Sequence, residues 1–513
     1  MEKKSANFTT KKSFIIVTIS LISFIVFGIQ ISCFGDDYDI SMGTPFEFSS
    51  TGYTGTPHSC KIDDTHFLCA FGLESDVKEG ESGWVIAMSA DTTDGTIDTV
   101  GTRYEFDDEY GFEPYLIQID ATHYLCAYEG PENGGWAVVL NLDTSDWSLT
   151  PVDNFQFDLE TSCNPSLIQI DTNHYLCTYD VQFGYNYYAF ARVLTIDTSD
   201  WTISAGTGFQ IDTNASRSGQ VSMFDPTHYL CVYEGPGYGG ATSCWSVILT
   251  INTADWSILK ETAVDIGGNN EPVLSKVDVT HYLCSYVNTS YGGSSVILSV
   301  DDTDWSISTE SPYEFCEADV SGINMTLVND DHFICVYSNN DTGWSGVLNV
   351  DDTWNVGFGD PFEFFEEEGG CSYSVMKINE ANYICTYVYE WETMKDEGCS
   401  GYSVILSVEI PPVSIDGNTE QNKAISYDNF PNPFYQNTNI SFSINQTSDV
   451  IIDIYNLKGQ IIKILENDLL SVGDYVYTWD GTDKLNNSVT PGVYFYRIVT
   501  DDISSVHRMI MIK

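Results

Sequence analysis

Beyond about residue 36 the chain alternates short apolar runs with turns rich in Asp, Gly, Ser and Asn, and no stretch there keeps a helical period. One apolar phrase recurs seven times. It reads His66-Phe67-Leu68-Cys69-Ala70-Phe71, then His123-Tyr124-Leu125-Cys126-Ala127-Tyr128, and returns around Cys177, Cys231, Cys284, Cys335 and Cys385. The cysteines are 57, 51, 54, 53, 51 and 50 residues apart. The second copy predicts four strands: Pro114–Ile119, His123–Tyr128, Trp136–Leu142, and a last one opened by Trp147. Its second strand has almost no polar face, as expected where both faces are buried. A period of this size made of four short strands predicts an all-β chain, a β-propeller of four-stranded blades.

The ends of the array predict closure. Tyr38-Asp39-Ile40-Ser41-Met42-Gly43-Thr44-Pro45-Phe46-Glu47-Phe48 aligns without a gap to Trp305–Phe315, a fourth strand, whereas the seventh repeat stops after its third strand at Val408. The N-terminal strand therefore fills the vacancy, giving seven blades over residues 37–410 with no exposed sheet edge. The turn Asp301–Trp305 resembles the Asp-box of sialidase-like propellers in its chemistry but lacks the glycine, and the Gly-His to Trp-Asp pairing of WD40 blades is missing. No specific propeller family is assigned.

Charge and cysteine content narrow the setting. With 74 acidic against 20 basic residues the formal charge is −54, which excludes nucleic acid as a partner and disfavours anionic membrane surfaces. Asp-rich loops make Ca²⁺ the one cofactor worth considering, with no metal ligands assignable. Lysines 3, 4, 11 and 12 precede an apolar run from Phe14 to Ile31 and small residues to Gly35, the pattern of a secretory signal peptide over 1–35, so the mature form is expected to carry no membrane span. The seven mid-strand cysteines sit at equivalent positions too far apart to bridge, and read as buried small hydrophobes. Cys371 and Cys399, flanking loops of the seventh repeat, are the best candidates for a disulfide.

Residues 411–426 are a polar linker, and beyond them alternating strands predict a small Ig-like β-sandwich over 427–513. Its ordered pieces are Asn429-Phe430-Pro431-Asn432-Pro433-Phe434, Ile454-Tyr455-Asn456-Leu457-Lys458-Gly459-Gln460, Trp479-Asp480-Gly481, Pro491-Gly492-Val493-Tyr494-Phe495-Tyr496-Arg497 and the basic, apolar end His507–Lys513. This tail resembles the type A C-terminal sorting domains of the type IX secretion system, over about the last sixth of the chain. The resemblance implies Sec export, recognition of residues 427–513 by the type IX machinery, and delivery to the outer cell surface or the medium.

No phosphate loop, His-Glu-x-x-His helix, Cys-x-x-Cys pair or Gly-x-Ser-x-Gly elbow is present. The repeated histidines read as caps of the Asp-x-Thr turns, and His58 as a lone residue. Two functional readings follow: a non-enzymatic propeller binding a glycan, protein or surface ligand, or a carbohydrate-active hydrolase or lyase on a propeller scaffold. A strongly raised acid in the central cleft points to the second, and aromatics on one rim to the first. Turns between strands one and two, and three and four, are short and uniform. The opposite face carries the variable loops, where binding residues concentrate. There stand Tyr110, Tyr185, Tyr187, Tyr238, Tyr291 and Trp391, with Asp108, Glu109, Glu366 and Glu367, a combination suited to sugar rings.

Overall fold

The computed structural model describes residues 38–50, 53–74, 81–237, 242–317, 319–329, 331–365, 370–392, 397–409, 427–430, 434, 437–444, 447–456, 461–484, 488–490, 492–500 and 504–511. The signal segment and the linker therefore lie outside the described residues. Among those residues the chain is all-β save for one short 3₁₀ turn, and no helix is long and apolar enough to cross a membrane. It divides into two compact units, residues 1–412 and 413–513.

In the first unit each repeat is an antiparallel sheet of the propeller-blade kind. The second repeat pairs Phe112–Gln118, His123–Glu129, Gly135–Asp143 and Ser148–Asp158 in chain order. In most repeats the fourth strand is two short pieces on one third strand; thus Ile307–Thr309 and Tyr313–Cys316 both pair with Gly293–Val300. The N-terminal pieces Asp39–Met42 and Phe46–Ser49 pair with Glu397–Glu409 in the same way. The registers coincide: Ile40 faces Val408 as Ile307 faces Val300, and Glu47 faces Tyr402 as Glu314 faces Ser294. The short strand Tyr53–Thr54 touches both Glu397–Glu409 and His66–Glu74, merging the sheets of the seventh and first repeats.

Period-two alternation places successive side chains of each second strand in different cores. Tyr124, Cys126 and Tyr128 pack with Leu68 and Ala70 of the first repeat, while Leu125 and Ala127 pack with Tyr175, Cys177 and Tyr179 of the third. A further cluster joins Ile378, Ile384 and Ile405 of the seventh repeat to Phe67, Cys69 and Phe71 of the first. All seven repeated cysteines are fully buried. Desolvation pushes the Cys69 and Cys231 thiols up to about 12, so they behave as small apolar side chains.

The expected Cys371–Cys399 bridge is not favoured by this register. Cys371 lies opposite Val388 and Cys399 opposite Glu390, on the strands either side of Asn382–Glu392. Two strand spacings, about 9.6 Å, exceed the roughly 4.4–6.8 Å a disulfide spans between Cα atoms. The Cys371 side chain itself lies outside the described residues.

The second unit is a two-sheet sandwich. One sheet holds Tyr427–Phe430, Thr438–Ile444 and Gly473–Trp479; the other holds Ile461–Leu470, Ser448–Asn456, Gly492–Val499 and Ser504–Met511. Trp479, Ile440, Ile452 and Ile498 are fully buried between them. Ile461–Leu470 is not apparent from the sequence pattern because its pairing is broken by two register shifts, which scramble the alternation and leave Ile461, Ile464 and Leu469 exposed.

A second contact ties each repeat to the next. In the Asp-x-Thr turns the aspartate accepts backbone N–H bonds and the following histidine's Nδ1, as in Asp120 with the N–H of Thr122 (2.8 Å), the N–H of His123 (2.8 Å) and His123 Nδ1 (3.0 Å). Burial alone would raise the Asp120 carboxyl; these hydrogen bonds outweigh it and lower it. So oriented, the imidazole stacks on the tryptophan of the following repeat's third turn. His123 lies 3.5 Å from Trp201, His174 3.6 Å from Trp256, His228 3.6 Å from Trp305 and His281 3.5 Å from Trp354. Each of these tryptophans is left-handed, with φ between 59° and 65°. His332 meets Tyr38 at 4.6 Å, the residue aligned with those tryptophans. At the junction of the seventh and first repeats both partners change together, to Asn382 and Gly95 (φ 73°). A left-handed residue other than glycine costs about 1–2 kcal/mol, which the ring contact offsets. Trp201→Ala should therefore destabilise the protein more than Trp201→Gly, by about 1 kcal/mol, in chemical denaturation. An alanine variant as stable as the glycine one would remove the strain argument.

Candidate functional site

The first strands of all seven repeats converge on one cleft of ≈ 700 Å³, lined among others by His58, Glu113, Asn164, Arg217, Glu271, Asn324 and Ser374. It opens where the inter-repeat loops enter these strands, on the variable-loop side. The local device is a β-bulge. Pairing with the second strand skips between Cys163 and Ser166, Asn270 and Val273, and Ser321 and Asn324. The skipped residues carry positive φ: Glu113 46°, Asn164 50°, Glu271 54°, Gly322 60°. Three of these precede a proline, which has no N–H to give a ladder and so tolerates the interruption. Bulges of this kind re-aim side chains beside functional sites.

The bulges are laced to one another. Glu113 Oε2 accepts the Asn164 N–H at 2.8 Å, and Glu271 Oε2 accepts the Gly322 N–H at 2.7 Å. Between the fourth and fifth repeats Gln220 accepts from Leu274 N–H at 2.9 Å. His58 takes the same part between the first and second: its Nδ1 accepts from Leu116 N–H at 3.2 Å, and its ring stacks on Tyr115 at 3.9 Å. Burial lowers its pKa to about 4, so the ring is neutral with its proton on Nε2.

The electrostatics of the cleft are uneven. Glu113, Asp180, Glu234 and Glu271 line it, against the single guanidinium of Arg217. Burial raises Glu113, opposed by the Asn164 N–H and Arg217; burial also raises Glu234, opposed by Arg217 and reinforced by Glu271. Glu271 is exposed to the cleft, and its carboxyl is raised by desolvation against two backbone N–H bonds. Arg217 lies over the Tyr187 ring at 4.4 Å. A hollow bounded by Tyr185, Tyr187, Arg217 and Glu234 continues from the cleft outward to the hairpin between His174–Phe183 and Asn186–Asp197, where Tyr185 is fully exposed.

Ligand atoms of Glu113, Glu129 and Cys163 come within 4.8 Å of one another. Two carboxylates with a thiol do not suit Ca²⁺, which takes six to eight oxygens, and burial beside Asp180 and Glu113 drives the thiol well above its usual range.

Of the residues read from the sequence as binding candidates, Tyr185 and Tyr187 stand beside the cleft. Asp108 and Glu109 line a separate groove with Glu105, Trp136 and Gln156. Tyr110 lies 6.2 Å from Phe112, and Tyr291 is an exposed turn residue. Tyr238, Glu366 and Glu367 lie outside the described residues, as does the side chain of Trp391, whose backbone is in Asn382–Glu392. The sequence reading missed Glu113, Arg217, Glu234 and Glu271 and set His58 aside. The available signal was the residue-Pro pair heading several first strands, Glu113-Pro114, Asn164-Pro165 and Glu271-Pro272.

Comparison with known proteins adds a family for the tail alone. Residues 432–502 match the FlgD Ig-like domain, in keeping with the two-sheet sandwich. No curated protein matches the chain. Among solved structures it is similar to a protein of unknown function from Dyadobacter fermentans (10% identity, 72% of this chain and 99% of that one, TM-score 0.45). It is also similar to a putative 6-phosphogluconolactonase from Bacteroides fragilis (14%, 58% and 81%, TM-score 0.41) and to the β-propeller domain of the Trilobed protease from Pyrococcus furiosus (10%, 74% and 97%, TM-score 0.37). Likenesses this distant carry no argument about activity.

The lacing bonds can be tested directly. Glu113→Ala leaves the Asn164 N–H without its acceptor and should cost about 1–3 kcal/mol, read by thermal or chemical unfolding. Glu113→Gln keeps the acceptor. Because burial raises the native carboxyl, wild type should lose stability relative to the glutamine variant as pH rises above about 4.3, the ordinary glutamate value. Equal losses in both variants would show that the bond does not hold the bulge.

Proposed function

We propose that the chain is an exported, seven-bladed β-propeller, closed by its N-terminal strand, that binds a glycan in the cleft formed by its first strands. The observation that carries the reading is the continuity of that cleft with the Tyr185–Tyr187 hairpin through Arg217 and Glu234. Carboxylates and a guanidinium suit hydroxyl-rich rings, and exposed tyrosine supplies the apolar platform on which a sugar face stacks. The shared register of residues 39–49 with the other fourth strands, and the packing of the seventh repeat on the first, support closure.

The enzymatic reading draws support from the raised carboxyls, since a general acid needs such a shift. Two of the three, Glu113 and Glu271, already hold backbone N–H groups of the neighbouring repeat, which assigns them to the scaffold. Binding is the better account.

Export through the type IX route rests on the tail motifs, and the Ig-like match over 432–502 is compatible with it. The protein then works at the outer cell surface or beyond it. Truncation after residue 424 should leave a cooperatively folded propeller that is no longer delivered across the outer membrane; normal delivery would refute the sorting role. For binding, replacement of both Tyr185 and Tyr187 with Ala should abolish retention on any glycan that the wild type selects from an array, while Thr144→Ala and Ser145→Ala should not. The reverse pattern would move the site to the face of uniform turns.

A further inference from the structure

We infer that Arg217 and Glu234 together read a vicinal pair of hydroxyl groups on a neutral sugar, and so set the specificity of the cleft. The inference rests on the binding role proposed above and adds the class of glycan and the residues that select it.

Among the described residues lining the cleft and the hollow that continues it, Arg217 is the one lysine or arginine. Its side chain is exposed but held in place. The guanidinium lies over the Tyr187 ring at 4.4 Å, a contact made by its flat face, which leaves the N–H edge free. Among the described residues no hydrogen bond or ion pair takes up that edge. Arg192 shows the contrast. Its Nε donates to the Tyr179 hydroxyl at 3.1 Å and its Nη2 to Asp158 at 2.9 Å, so its donors are spent inside the protein.

Glu234 completes the arrangement. It stands directly opposite Arg217 where Arg217–Met223 pairs with His228–Pro236, and side chains so placed share a face with Cβ atoms about 4.5–5.5 Å apart. An arginine and a glutamate in that relation ordinarily close into an ion pair. None forms here, and the guanidinium stacks on Tyr187 instead. A planar fork of donors and a carboxylate that only accepts therefore stand side by side where the cleft meets the hollow. A hydroxyl both donates and accepts, so two adjacent hydroxyls can accept from the guanidinium and donate to the carboxylate at once. An acidic group brought to Arg217 would face Glu234, and an ammonium brought to Glu234 would face Arg217; like charges so juxtaposed are costly. A neutral ring meets neither penalty. From there the hollow extends to the fully exposed Tyr185, which offers a face for the next ring.

The test uses the full-length chain and an array of β-1,4-linked gluco-, manno- and galacto-oligosaccharides. Each is accompanied by its uronate counterpart and by its 3-deoxy counterpart, which lacks one hydroxyl of the vicinal pair. Wild type should retain at least one neutral member and, by calorimetry, bind it about tenfold or more tightly than either counterpart, because a lost hydroxyl leaves Arg217 or Glu234 unsatisfied. Arg217→Lys keeps the charge but loses the planar fork, and should bring the intact and 3-deoxy forms to equal affinity. Glu234→Ala should do the same. If Arg217 served only to hold Tyr187, the lysine variant would weaken both forms by one factor and the preference would survive, a result that overturns the inference. Wild type that favours a uronate, or that binds intact and 3-deoxy forms alike, would also overturn it and leave glycan binding standing. Retention of no member of the array would overturn the binding role itself.

Discussion

A strand buried on both faces cannot be satisfied by its own sheet, and this constraint governs the first unit of the molecule. His123–Glu129 sends Tyr124, Cys126 and Tyr128 to one neighbour and Leu125 and Ala127 to the other, all essentially without solvent contact. Full burial of each such side chain is worth roughly 1.5–3 kcal/mol, but only if a repeat stands on either side. A single repeat is therefore unstable alone, and each end of a linear array would expose one of these faces. The Ile384 and Ile405 contacts with Phe67 and Phe71 give the two end repeats the neighbours they lack.

The polar contacts follow the same logic at the two ends of the strands. At the uniform turns, aspartate orients histidine and histidine packs on the next repeat's tryptophan, so the Asx turn and the strained left-handed residue support one another across the repeat boundary. At the other end, bulges turn Glu113, Asn164 and Glu271 inward and lace each first strand to its neighbour. The first arrangement is repetitive and rigid. The second varies from repeat to repeat, with histidine, glutamate and glutamine taking the same part, and that variation gives the cleft its chemistry.

Conflict between scaffold and site is confined to the bulges. Glu113 and Glu271, which hold backbone N–H groups of neighbouring repeats, are also the carboxyls that desolvation raises, so the same residues lace adjacent first strands and carry an electrostatic cost. A chain with formal charge −54 can afford acids on its solvated surface, where water screens them.

Repeat length, strand pattern, the buried character of the seven cysteines and the N-terminal match to the fourth strands were all legible from residue order, because each depends on period-two burial and turn chemistry, which are local. The histidines could be placed as turn caps for the same reason, since Asp120 and His123 are three residues apart. What they stack on could not, for His123 and Trp201 are 78 positions apart and belong to different repeats. The register that separates Cys371 from Cys399 by a whole strand was equally out of reach. So was the cleft. Acids are so common in this sequence that nothing singled out Glu113, Glu234 or Glu271 until the bulges brought them together with Arg217, and enclosure, which shifts their carboxyls and defines the site, is a property of seven strands arranged around one cavity and of no single segment.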